Sequence, residues 1–294
     1  MIIDFHTHTF PDRIASQALD KLKSASHTRP FTDGTVAGLQ ASMQKAGIDI
    51  SLVMPVATNF RQVEHVNDAS ILINREAGHT GIYSFGCMHP DFERPEEELT
   101  RLKSAGVMGI KLHPVYQGVD FDDARYLRIL EACQKLELIV LIHAGNDIGF
   151  PGVQHASARM ILNALRSTGP LKLVLAHMGG WRRWEESASL LTGMGLYIDT
   201  SFSMGRITPG EDGYPWREDE LMLMDEKSAL AVIRAFGADH TLFGSDSPWG
   251  GQAETLKALD RLELTEEEKK RILGSNALDL LGLRQEECPV QERN

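Results

Sequence analysis

The sequence has three cysteines in 294 residues, Cys87, Cys133 and Cys288, with no C-x-x-C spacing. Odd in number and scattered, they exclude a disulfide framework and a thiolate metal site, and read as reduced cytosolic thiols. No apolar run approaches the roughly 18 residues that a bilayer-spanning helix needs. The opening MIIDFHTH has neither the basic nor the apolar region of a secretory signal, so a cytoplasmic protein is expected. Cations are in short supply: 30 Lys and Arg face 41 Asp and Glu, a net charge of −11. A nucleic acid demands clustered Lys and Arg, so neither nucleic acid nor membrane is expected as a partner. The phosphate-binding G-x-G-x-x-G is also missing after the first apolar run, where HTHTF stands instead.

What is present is a regular alternation. Short apolar, β-branched runs occur at 2–5, 51–56, 82–88, 107–112, 138–142, 172–176, 196–199 and 241–244. Continuous rather than alternating runs suit parallel strands covered by helices. Amphipathic stretches lie between them, for example 123–135 and 156–166, the latter stopped by Gly169-Pro170. Thr265 and Glu268 form a capping box before Ile272 and Leu273. Eight strands with crossover helices predict an α/β fold, a (β/α)8 TIM barrel in a single domain over 1–283, with a polar, frayed tail at 284–294. A doubly wound open sheet is the alternative that periodicity leaves open.

The eleven histidines are not spread evenly. Eight three-residue windows at the strand ends would hold about one of them by chance, yet His6, His8, His113, His143 and His177 all lie within three residues past an apolar run. Side chains alternate along a strand, so His6 and His8 share a face, as do Gly109, Lys111 and His113. Asp246, in LFGSDSPWG, shares its face with Gly244. Taken singly, each has an ordinary role: a hydrogen-bonded histidine, or an aspartate turning the chain before Pro248. Together, imidazoles and a carboxylate at neighbouring strand ends point to a divalent cation such as Zn²⁺ with a position left for water.

The segments MIIDFHTH, GIKLHP, VLIHAG, LVLAHMGG, GSDSPW and ILGSNALDLLGL resemble the amidohydrolase superfamily, and within it the amidohydrolase-related branch of metal-dependent barrels. They extend from the first residue to about Leu283. The resemblance implies one divalent metal held by His6, His8, His143 and Asp246, with Zn²⁺ favoured over Mn²⁺. It implies catalytic roles for His177, orienting or polarising the substrate, and for Asp246, as ligand and proton acceptor. Lys111 stands where dinuclear members carry a bridging lysine, but GIKLHP matches the mononuclear branch, so a second metal is not expected. Lys111 is then assigned to the substrate or to an ion pair, with Asp4 as one candidate partner.

The branch contains hydrolases of lactones and amides beside non-oxidative decarboxylases and hydratases, so the site is better defined than the reaction. The leading expectation is a hydrolase in which metal-activated water attacks a lactone, ester or amide carbonyl of a small, carboxylate-bearing substrate. The alternative is decarboxylation or hydration of an unsaturated or aromatic acid; a non-catalytic metal-binding protein ranks last. Lys111, His113, Arg206 and Trp216 are the candidate substrate-binding residues. The last two sit in the stretch 201–224, which is long for a loop of this kind and reads as a lid. Arginine near a cationic centre points to an anionic small molecule. A homo-oligomer is left open.

Overall fold

All eight runs form strands in the computed structural model, which describes residues 1–284. They are β1 (Ile3–Thr7), β2 (Ile50–Val53), β3 (Ile82–Ser84, continuing as Gly86–Cys87), β4 (Gly109–Leu112), β5 (Ile139–Ile142), β6 (Leu173–Leu175), β7 (Tyr197–Asp199) and β8 (Thr241–Leu242). Each pairs in parallel with the next, and β3 changes neighbours at Phe85, whose amide still donates to Val53 O (3.0 Å). The ring is joined where β1 meets the segment after β8. Phe5 N donates to Phe243 O (2.8 Å), Asp246 N to His6 O (2.8 Å) and His8 N to Ser247 O (2.6 Å). The fold is the expected single-domain α/β barrel. The expected tail lies, from residue 285 onward, outside the described residues, as does Cys288. Cys87 and Cys133 are buried free thiols. No helix among the described residues is long and apolar enough to cross a membrane.

Two apolar layers hold the barrel. Outward-facing Ile110, Leu112, Val140, Ile142, Leu173 and Leu175 pack against helices, while Ile50, Leu52, Phe85, Ile139, Leu141 and Val174 fill the interior. Helix Ala124–Lys135 shows how its face is chosen: Asp123 caps it by accepting from Arg125 N (2.8 Å), and Tyr126, Ile129, Leu130 and Cys133 form a buried stripe at helical spacing. The helix read at 156–166 runs over Ala158–Thr168, capped by Ser157 and ended at Gly169. The Thr265–Glu268 box is formed as expected. Gly109 marks a tight point of the interior: a Cβ there would lie 2.5 Å from Ile139 O and 2.7 Å from the Phe85 ring.

One irregularity prepares the site. Asp4 pairs with Ser51 and Thr7 with Val53, so β1 spends three residues where β2 spends two. This bulge adds one residue and resets the alternation. Ile3 and Phe5 therefore join the apolar interior, yet His6 and His8 still converge on the barrel mouth.

Candidate active site

The carboxyl ends of β1, β4, β5, β6, β7 and the turn after β8 bring polar groups into one largely buried cluster. His6, fully buried, donates from Nδ1 to Asp199 Oδ2 (2.8 Å). That bond fixes the tautomer and leaves the Nε2 lone pair aimed at the mouth. Nε2 lies 3.2 Å from His8 Nε2 and 3.4 Å from Asp246 Oδ1, and His8 Nε2 lies 3.2 Å from the same oxygen. Ligands at about 2.0–2.1 Å around a tetrahedral ion stand about 3.3 Å apart. The triangle therefore has the donors and the dimensions of one face of a divalent-cation site.

Asp199 is the residue that counting histidines missed. Its Oδ1 accepts from His177 N (2.9 Å), Ser201 N (3.0 Å) and Ser201 Oγ (2.5 Å). One carboxylate thus holds His6 through one oxygen and the backbone at the ends of β6 and β7 through the other. Its position at the end of β7, on the face shared with Tyr197, was available as a signal.

His177 and His143 form a second unit. His177 Nε2 lies 3.0 Å from His143 Nδ1; His177 Nδ1 faces Ser201 O (3.1 Å) and His143 Nε2 faces Asn146 O (2.9 Å). Both ends are carbonyls, which only accept. Three contacts ask for three ring protons, and two neutral imidazoles carry two. Burial pushes both rings away from the charged form, so the neutral pair leaves one contact unmade. His143 also lies 3.5 Å from Asp147 Oδ2 and stacks on His113 (4.2 Å, 15°), whose Nε2 is 3.6 Å from the same oxygen. The expected four-residue ligand set is therefore split. His6, His8 and Asp246 meet, whereas the His143 ring is turned onto the His113–Asp147 group.

Lys111 is buried at 1% exposure, and its Nζ donates to His6 Nε2 (3.2 Å). The Asp4 pairing entertained above is not made: Asp4 is taken by Ser245 N (2.9 Å), Ser245 Oγ (2.6 Å) and Gln252 Nε2 (2.8 Å), behind the mouth. Burial lowers the Lys111 pKa to about 8, against the fields of Asp199, Asp246 and Asp147. Burial likewise opposes ionisation of Asp246, but the His8 hydrogen bond and the nearby imidazoles outweigh it and hold the carboxyl well below its usual range. The pocket combines neutral imidazoles, a firm carboxylate and one cation. His177 (φ 63°), Met178 (φ 57°) and Asp246 (φ 67°) occupy left-handed backbone conformations at these strand ends, where strain accompanies function in many enzymes.

Arg206 and Trp216 do not join them. Arg206 is exposed and held by Glu218 through both guanidinium nitrogens, and Trp216 Nε1 donates to His27 O (3.2 Å). The loop carrying them is fastened to the segment around His27. Gly210 N donates to His27 O (2.7 Å), and Tyr214 stacks on the His27 ring (3.9 Å, 11°). These contacts tie the segment after β7 to the one after β1.

Parallel strands ending in histidines, carboxylates and a buried lysine define an enzyme barrel, with its reactive groups at the carboxyl face. The chain belongs to the amidohydrolase family, whose model matches residues 3–283. It is 27% identical over 212 residues to a 2-amino-3-carboxymuconate-6-semialdehyde decarboxylase of Dictyostelium discoideum, covering 64% of this chain and 57% of that protein. The chain thus spans little more than half the length of this curated relative. Among solved structures it resembles a dihydroxybenzoic acid decarboxylase from Polaromonas sp. JS666, which holds manganese and the inhibitor 2-nitroresorcinol (TM-score 0.69, 17% identity, 97% of this chain and 98% of that one). It also resembles a probable 2-pyrone-4,6-dicarboxylic acid hydrolase from Acinetobacter baumannii with bound citric acid (TM-score 0.62, 16% identity, 96% and 99%). At these identities the structural likeness establishes the fold.

Proposed function

We propose that the protein is a metal-dependent enzyme that removes carbon dioxide from a small unsaturated or aromatic acid. The observation that carries this reading is the His6–His8–Asp246 triangle facing the buried Lys111 ammonium. One pocket thereby offers a cation seat and a fixed positive charge for a carboxylate. The decarboxylase of Dictyostelium, the curated relative, supports the same chemistry. His6, His8 and Asp246 are the residues we assign to one divalent ion, with His143 joining as fourth donor on a turn of its ring away from Asn146 O; imidazole and carboxylate suit Zn²⁺, with Mn²⁺ the alternative. A bound divalent ion supplies positive charge that polarises a carboxylate or carbonyl and lowers the pKa of water. Lys111 and His113 bind and orient the acid. His177 manages the proton that replaces the carboxyl group, as a neutral imidazole that passes a proton on rather than holding a charge, its Nε2 lying 3.0 Å from His143 Nδ1.

Hydrolysis of a lactone or ester is the second reading. It is favoured by Asp246, whose Oδ1 borders the same pocket and can accept a proton from water, with His177 steadying the developing oxyanion. A panel of hydroxybenzoates, unsaturated acids and lactones in ¹⁸O-labelled water separates the two. Release of CO₂ without ¹⁸O in the organic product supports decarboxylation; ¹⁸O in a ring-opened acid without CO₂ overturns it.

A further inference from the structure

Beside the cluster stands a phenol, Tyr116, whose ring stacks on His113 and whose hydroxyl makes no hydrogen bond among the described residues. Tyr116 sits in the short helix Pro114–Gln117 directly after β4, with His113 as its N-cap. Gln117 fastens this turn: its Nε2 donates to Ala57 O (2.9 Å) and Met88 O (2.6 Å), and its Oε1 accepts from His113 N (3.3 Å) and Tyr126 OH (2.5 Å). The Tyr116 ring stacks on His113 (3.8 Å, 24°) and meets Phe150 on its outer side (5.4 Å, 54°). Phe150 is 43% exposed, so the rings run from buried His143 to solvent as one wall. Fully buried Tyr126 gives its hydroxyl to Gln117, whereas Tyr116 is only partly buried and its hydroxyl stays accessible. Burial, then the charges of Asp147 and Asp246, raise its pKa, which keeps it a proton donor and places it within electrostatic reach of both carboxylates.

We infer that the Tyr116 hydroxyl donates a hydrogen bond to a carboxylate oxygen of the substrate, and that Tyr116 and Phe150 form the wall against which a planar acid lies. The inference rests on the reading of this pocket as one that acts on a small acid. The turn pinned by Gln117 makes the donor preorganised, so little ordering accompanies binding. The aromatic wall favours a flat, conjugated skeleton over a branched aliphatic one.

Tyr116→Phe removes the hydroxyl and keeps the stack on His113. Calorimetry on the metal-loaded protein would compare 2,6-dihydroxybenzoate with resorcinol, the same ring without a carboxylate. The variant should bind the acid about tenfold or more weakly, since its partner is charged, and resorcinol within about twofold, with an unchanged melting temperature. Phe150→Ala should weaken both ligands alike. Equal effects of Tyr116→Phe on the two ligands, or none on the acid, overturn the inference. If the acid loses affinity in the variant but the wild type neither decarboxylates nor hydrolyses any panel compound, the inference stands and the reaction reading falls. If the wild type turns over an acid and Tyr116→Phe leaves KM unchanged, the reaction reading stands and the inference falls. Failure of the wild type to bind either ligand removes both.

Discussion

The barrel mouth holds two clusters of the same composition, His6–His8–Asp246 and His113–His143–Asp147, and they are not equivalent. Both are largely buried, and both place two imidazoles around one carboxylate. They differ in where the ring protons go. In the first, Asp199 draws the Nδ1 proton of His6 and frees Nε2 toward the mouth. In the second, His113 Nδ1 accepts from Tyr116 N (3.4 Å), so its Nε2 toward Asp147 carries the proton. His143 Nε2 likewise donates to the Asn146 carbonyl. The second cluster thus has both Nε2 protons committed, toward Asp147 and to Asn146 O, while in the first the His6 Nε2 lone pair accepts from Lys111 and meets a cation once that ammonium gives way. The difference teaches that a cation site is defined by ring-nitrogen bookkeeping, beyond residue type and proximity.

The comparison breaks hardest at its first member. Replacing His6 with Ala should abolish the stoichiometric divalent metal measured by elemental analysis and lower turnover on the order of a thousandfold. Metal content near one equivalent in that variant would place the ion elsewhere. Asp199→Asn is the next largest: it retains the shape but alters the tautomer imposed on His6, and should cost 10- to 100-fold in metal affinity, on the order seen for carboxylates behind metal-bound histidines. A chelator competition titration reads this directly. Asp147→Asn tests the second cluster, and one bound ion should remain, with affinity changed by less than about threefold; loss of an ion would make that cluster a cation site in its own right. Arg206→Ala should do least. Its exposed pair with Glu218 is screened by solvent, and steady-state kinetics should show no change in KM.

Much of this was legible beforehand, and for identifiable reasons. The β-branched runs predicted every strand because parallel strands covered by helices carry little polar sequence. His6 and His8 were legible because two-residue periodicity puts them on one face, and the bulge left that relation intact. Asp199, Ser201 and Asp147 were not singled out, because none follows a dense motif and each acquires its role from a partner on another strand; Tyr116 was missed because its stack on His113 forms only in the turn after β4. Lys111 shows the same limit: its inward direction followed from parity, whereas its nearest neighbour proved to be His6 rather than Asp4. Arg206 was placed near the substrate by its charge and by the length of its loop, and only the fold shows that its guanidinium pairs with Glu218, twelve residues away.

By itself, the sequence determined the barrel, the location of its reactive end and the kinds of donor gathered there. Those properties depend on local periodicity and on residue chemistry at strand ends. Tertiary structure decided which nitrogen faces which oxygen. The His6–Asp199 bond joins residues 193 positions apart, and the Asp4–Ser245 contacts join residues 241 apart. Such bonds exist only after the barrel closes, and they select one tautomer of one histidine as the lone pair that can meet a cation.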